Sequence, residues 1–115
     1  MKLVHIVNKN DETTFSNIKC KIDKKLKKYE FFLDNIRNCI YITDRLVYTR
    51  ESDEYKFNLE ISDNSKCNIL LKEENLSFDI KVLSSSYCEK EDVIDFTYKL
   101  ETDEIEHKIK LENGD

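Results

Sequence analysis

This sequence predicts an all-β protein, an antiparallel meander closing into a small barrel within one domain, residues 1–115. Three observations carry that prediction. Apolar and polar residues alternate at every second position over most of the chain, as in strands with one buried and one wet face. The alternating runs are rich in β-branched and aromatic residues, including six Tyr and six Phe. Short polar turns separate them at intervals of roughly 8–12 residues, the spacing of sandwiches and barrels. Each run matches its neighbour in sequence, so an up-and-down meander is the simplest connection.

The elements follow in order. "KLVHIVN" opens the chain as a strand and "KNDE" follows as a polar turn. "IYITDRLVYTRE" supplies one or two strands. Tyr55, Phe57, Leu59 and Ile61 then alternate with Lys56, Asn58 and Glu60 before the turn "SDNS". Cys67, Ile69 and Leu71 resume the pattern, "KEEN" turns the chain, and Leu76, Phe78, Ile80 and Val82 continue it. "SSSYCEKED" reads as a polar loop, in which Ser86 and Cys88 lie near carboxylates without an activating motif. Tyr55, Phe57, Leu59, Ile61, Ile69, Leu71, Phe78, Ile80, Phe96, Leu100 and Ile109 are expected to face a common interior.

The closing "DFTYKLETDEIEHKIKLE" predicts a hairpin with a definite register. With Leu100 opposite Ile105, Tyr98 meets His107, Phe96 meets Ile109 and Ile94 meets Leu111. The other face pairs Lys99 with Glu106, Thr97 with Lys108 and Asp95 with Lys110. A one-residue slip would set apolar residues against charged ones. A four-residue loop, "ETDE", keeps the register and lets Glu101 and Glu104 splay. His107 then packs on Tyr98 as a wall residue with a polar edge.

One segment allows a second reading. Ile18, Ile22, Leu26, Tyr29, Leu33, Ile36 and Ile40 recur at steps of four and three, the stripe of an amphipathic helix. With Ser16 as its N-cap, a helix at about 18–36 would make the fold α+β. "YEFFL" and "CIYIT" have strand composition instead, and two strands are preferred here.

Composition narrows the function classes. A chain of 115 residues, 39% of them hydrophobic, has enough apolar material for one modest core despite 37% charged residues. Gly114 is the single glycine and proline is absent, which removes glycine turns, phosphate-cradling glycine loops and cis-proline features. Net charge is −5, but residues 1–40 carry nine basic against five acidic groups while residues 41–115 carry ten against nineteen. An acidic body argues against nucleic-acid partners, whose affinity rests on phosphate neutralisation. The basic stretch "KCKIDKKLKKYEFF" reads first as a solvated lysine face.

Cys20, Cys39, Cys67 and Cys88 have no metal-ligand spacing. No signal-peptide core opens the sequence and no apolar run approaches membrane length, so free thiols, a cytoplasmic location and no membrane partner are expected. No metal or cofactor motif is present. His5 and His107 are the two histidines, and a lone histidine in an apolar register is more often a hydrogen-bonded wall residue than a ligand. No nucleophile–base–orienter arrangement is legible, so no enzyme activity is expected.

From Tyr41 onward the chain resembles the YwiB-like family of uncharacterised bacterial proteins, which have a calycin-like β-barrel. The resemblance lies in "RLVYTRE", in the meander that follows it and in "VIDFTYKLETDEIEHKIKLE". It departs at "KCNILLKEEN", where the family tends to have an arginine–x–glycine turn, and this chain is short for the family. The resemblance implies a calycin-like, lipocalin-like barrel fold, and a non-enzymatic barrel holding a small apolar or amphipathic molecule is the first functional reading. Small antiparallel barrels can enclose one ligand among aromatic and a few polar groups. Tyr48, Arg50, Tyr98 and His107 are the candidate lining residues. The second reading is a solid β-domain working through its surface as a protein-interaction or regulatory module, with the basic 19–28 segment set against an acidic body.

Overall fold

The computed structural model describes residues 1–113 and, among them, contains strands and turns but no helix. All strand pairings are antiparallel. The chain forms two compact units, one of Cys20–Lys81 and one of Met1–Lys19 together with the chain from Val82 onward.

The first unit is an unbroken meander of seven strands. In chain order they are β3 (Lys21–Asp23), β4 (Lys28–Leu33), β5 (Ile36–Ile42), β6 (Leu46–Glu51), β7 (Tyr55–Ile61), β8 (Lys66–Leu71) and β9 (Leu76–Ile80). Register carries apolar residues across the sheet in rows. One row runs Ile22, Tyr29, Ile40, Tyr48, Leu59, Cys67, Ile80, and the next runs Phe31, Asn38, Arg50, Phe57, Ile69, Phe78. Burial is deepest at the centre, where Ile40, Leu46 and Leu59 are fully enclosed. Each such side chain contributes about 1.5–3 kcal/mol relative to an exposed one.

The second unit is a five-stranded sheet in the order β10 (Val82–Lys90), β11 (Val93–Leu100), β12 (Glu106–Glu112), β1 (Lys2–Val7), β2 (Asp11–Phe15). The first strand of the chain therefore pairs with the last, and the meander holds only for β10 to β12. The inward face carries Leu3 and Phe15 from β1 and β2. Ile94, Phe96, Tyr98 and Leu100 come from β11, and Ile109 and Leu111 from β12.

Two expectations are corrected, and the alternative of a helix gives way to the preferred strands. Neither sheet closes into a barrel: one ends on β3 and β9, the other on β10 and β2. Closure needs terminal strands that can hydrogen-bond along their length, and β3 offers three residues. The helix at 18–36 does not form. Its apparent stripe is a hairpin effect, with Ile22 opposite Tyr29, Tyr29 opposite Ile40 and Leu33 opposite Ile36, so those residues share a sheet face rather than a helix face. Finally, "SSSYCEKED" is not a loop, because Ser84 to Lys90 pair along β11 after an irregularity at Val82/Ser84. Strand β2, in "DETTF", is likewise one that the alternation does not announce.

The predicted hairpin register is borne out from Ile94↔Leu111 to Lys99↔Glu106, with Tyr98 opposite His107. Its loop tightens by a hydrogen bond from Glu104 N–H to the Leu100 carbonyl, 2.9 Å. Phe57 and Leu59 share a face as expected, but Phe78, in the same register set, is 45% exposed. Turns that usually use glycine are built from other residues. Asn8 with Lys9, and Asp34 with Asn35, take left-handed pairs, and Asn17 and Asn75 take single left-handed positions. Asn and Asp tolerate that region because their short side chains bond the local backbone.

Candidate functional site

Tyr98 and His107 are held face to face by strand pairing, with ring centroids 4.8 Å apart and 15° between planes. His107 also meets His5 from β1. His5 Nε2 lies 3.0 Å from His107 Nδ1, with centroids 5.2 Å apart and planes 22° from parallel. The short nitrogen separation beside the long centroid separation places the two imidazoles edge to edge in a hydrogen bond. One nitrogen must donate and the other accept, so both rings cannot be doubly protonated while the bond persists. His5 lies opposite Ile109 and Thr13 in register, and His107 opposite Tyr98 and Val7. His107 is thus the wall residue its alternation suggested, with a second histidine as its polar partner. Among the described residues, no group of three or more His, Cys, Asp or Glu is placed to hold a metal ion.

Tyr48 and Arg50 lie in the other unit, two residues apart on the apolar face of β6. Tyr48 is buried, its ring edge-on to Phe57 at 6.1 Å, and its hydroxyl donates to Asn38 Oδ1 at 2.8 Å. Asn38 Nδ2 donates in turn to the Ile36 carbonyl at 3.1 Å. That hydroxyl proton is engaged within the fold. Arg50 stands half-buried between Asn38 and Phe57 in register.

A third locus, read in the sequence as a solvated lysine face, gains a different character from the β3–β4 hairpin. Its turn is fixed by Asp23 Oδ1, which accepts from the backbone N–H groups of Lys25 and Leu26 at 3.1 and 3.2 Å. Lys27 takes the left-handed conformation that closes it, at φ 49. The hairpin surrounds a shallow surface depression of about 410 Å³ lined by Lys21, Lys24, Lys25, Lys28, Asp23 and Glu30 with Ile22 and Leu26. Ile22 and Leu26 are 42% and 52% exposed, and Ile22 lies on the sheet face opposite that of Lys21 and Lys28. Glu30 is engaged by the Arg37 guanidinium, which donates from Nε at 2.6 Å and forms an ion pair through Nη2. That hydrogen bond holds the Glu30 carboxyl below its ordinary range. Four ammonium groups therefore face two carboxylates, both already committed to other partners.

The four cysteines are free thiols. Burial pushes Cys67 up to about 11 and also raises Cys20 and Cys39. Only thiolate reacts, so alkylation at pH 8 is expected to modify exposed Cys88 first and Cys67 last. Cys67 reacts on the order of a hundredfold or more slowly, because about one molecule in a thousand carries its thiolate. Peptide mapping of timed iodoacetamide quenches checks the order, and early loss of the Cys67 thiol contradicts it.

Sequence reasoning missed His5 and the apolar part of the hairpin. His5 occupies an apolar register position of "KLVHIVN", but its partner is 102 residues away. No family model matches the chain, and neither a curated protein nor a solved structure does.

Proposed function

We propose that the protein is a non-enzymatic interaction module that docks an acidic, partly apolar segment of a partner protein on its β3–β4 hairpin. The supporting observation is the cluster of Lys21, Lys24, Lys25 and Lys28 on one hairpin, beside half-exposed Ile22 and Leu26. Isolated lysines need no explanation, but lysines bordering exposed aliphatic surface suit a partner presenting carboxylates around an apolar anchor. The acidic remainder of the chain, −9 over residues 41–115, sharpens the contrast and orients such a partner toward the hairpin. A calycin-like barrel holding a small molecule would need a closed sheet. The open sheets lend that reading no support.

A fluorescein-labelled peptide of alternating Asp and Leu serves as the probe. At low salt, its addition is expected to shift the amide resonances of residues 21–28. Binding should weaken by about tenfold between 50 and 300 mM NaCl, because exposed charges are screened beyond a Debye length. Lys24→Glu/Lys25→Glu should abolish binding, while Lys108→Glu, on β12, leaves it intact. Shifts spread over both sheets, or equal binding of an Asn–Leu peptide, would sink the proposal.

A further inference from the structure

Strand β9 ends the seven-stranded sheet, and its outer side makes no backbone hydrogen bond among the described residues. Proteins usually blunt such edges with very short strands, lysines, prolines or bulges. The opposite edge, β3, follows that rule with three residues and the lysine-rich turn. Strand β9 does not. It is five residues long, "LSFDI", in unbroken register with β8 and without a lysine or proline. Its apolar stripe is open to solvent, with Leu76 46% and Phe78 45% exposed. Half-buried Ile69 and Leu71 extend the stripe onto β8.

We infer that β9 is a self-association edge, and that its occupant is β9 of a second copy of this chain, antiparallel about a two-fold axis through Phe78. The strand is complementary to itself in that register. Phe78 faces Phe78 of the second copy, and Leu76 faces its Ile80, so apolar residues meet apolar ones. Asp79 faces Ser77, so like charges are never directly opposed. Beyond the strand ends, exposed Lys81 faces Asn75 of the second copy, with its Glu74 alongside. A parallel pairing would set Asp79 on Asp79 and lacks the closed two-fold symmetry of an isologous dimer. The charge complementarity at both ends selects the antiparallel copy. An edge-strand interface is small, which makes the dimer weak and concentration-dependent.

Sedimentation velocity on the full chain from about 10 μM to 1 mM tests this range, which is that of transient interfaces. The protein should pass from monomer to dimer across it. Each side chain counts twice across a two-fold axis, so Phe78→Lys should raise the dimer Kd by about a hundredfold or more. Lys81→Glu should weaken the dimer, because the carboxylate it introduces lies beside that of Glu74 in the second copy. The double variant Glu74→Lys/Lys81→Glu restores opposite charges and should restore the dimer. Both charge positions are exposed, so these variants keep the test available if Phe78→Lys fails to fold, which a thermal melt would reveal. A monomer throughout the range, a dimer indifferent to Phe78→Lys, species beyond the dimer, or a double variant that stays as weak as Lys81→Glu would each overturn the inference.

Discussion

Phe96→Ala is expected to lower the stability of the protein by about 3–5 kcal/mol, the usual loss for a fully enclosed phenylalanine. Phe96 has no exposed surface and sits midway along β11, an interior strand of the five-stranded sheet. Its register neighbours are Tyr87 on β10 and Ile109 on β12, and its ring lies 6.4 Å from that of Tyr98. Truncation removes both the transfer free energy and the contacts of the surrounding side chains, which strand pairing prevents from collapsing inward. Typical domains hold about 5–15 kcal/mol in total, so one substitution would remove a third or more of it. Urea denaturation monitored by tyrosine fluorescence measures the loss. The matched control is Phe32→Ala, since Phe32 is 65% exposed and points away from the apolar face of its strand. That variant should change stability by no more than about 0.5 kcal/mol. Equal losses at the two positions would contradict the assigned faces.

The contrast between Phe96 and Phe32 also marks what could be read from sequence. Alternation over Tyr55–Ile61 and Cys67–Leu71 fixed faces and pairings because those strands meet through short turns, so local spacing encodes contact. The register from Asp95↔Lys110 to Lys99↔Glu106 was legible for the same reason, helped by opposite charges on its outer face. Pairing of β1 with β12 was not legible. It joins residues about a hundred positions apart, and neither strand carries a mark for the other. The His5–His107 contact was lost with it.

Strand β10 was hidden by its composition. Its serines and charged residues suit a loop, yet an edge strand needs little apolar content of its own when Tyr98, Phe96 and Ile94 on β11 supply it. The segment 18–36 was ambiguous for a different reason. Residues three, four or seven apart can share a face in a helix or across a hairpin, and periodicity cannot separate the two. Asp34 and Asn35 carried the deciding signal, since both take positive φ in the turn that sends β4 back as β5. Among the candidate site residues, Tyr98 and His107 were placed correctly relative to each other. The bond from the Tyr48 hydroxyl to Asn38 carried no signal in the sequence.

Asn38 is the buried polar side chain of the seven-stranded sheet, 1% exposed between Phe31 and Arg50 in register. Asn38→Ala is expected to cost about 2–4 kcal/mol. It takes away the acceptor of the Tyr48 hydroxyl in a buried setting, worth about 1–3 kcal/mol, and leaves a small void besides. Tyr48→Phe should cost somewhat less, about 1–3 kcal/mol, because Asn38 Oδ1 loses its 2.8 Å donor while the Nδ2 bond to Ile36 survives. If both partners become apolar, the desolvation penalty disappears. The double variant Asn38→Leu/Tyr48→Phe should therefore be more stable than the sum of the single losses predicts, by about 0.5–3 kcal/mol. The pair is diagonal across β5 and β6, with Tyr48 opposite Ile40 and Asn38 opposite Arg50. A two-residue slip that sets Asn38 opposite Ser52 would keep apolar residues on the inner face but carry Asn38 away from Tyr48. The hydrogen bond thus penalises a misalignment that hydrophobicity tolerates. The apolar double variant is expected to keep its stability while broadening the amide resonances of β5 and β6, as alternative registers become populated. Sharp, native-like resonances in that variant would show that the pair contributes stability alone and leaves register to the turns.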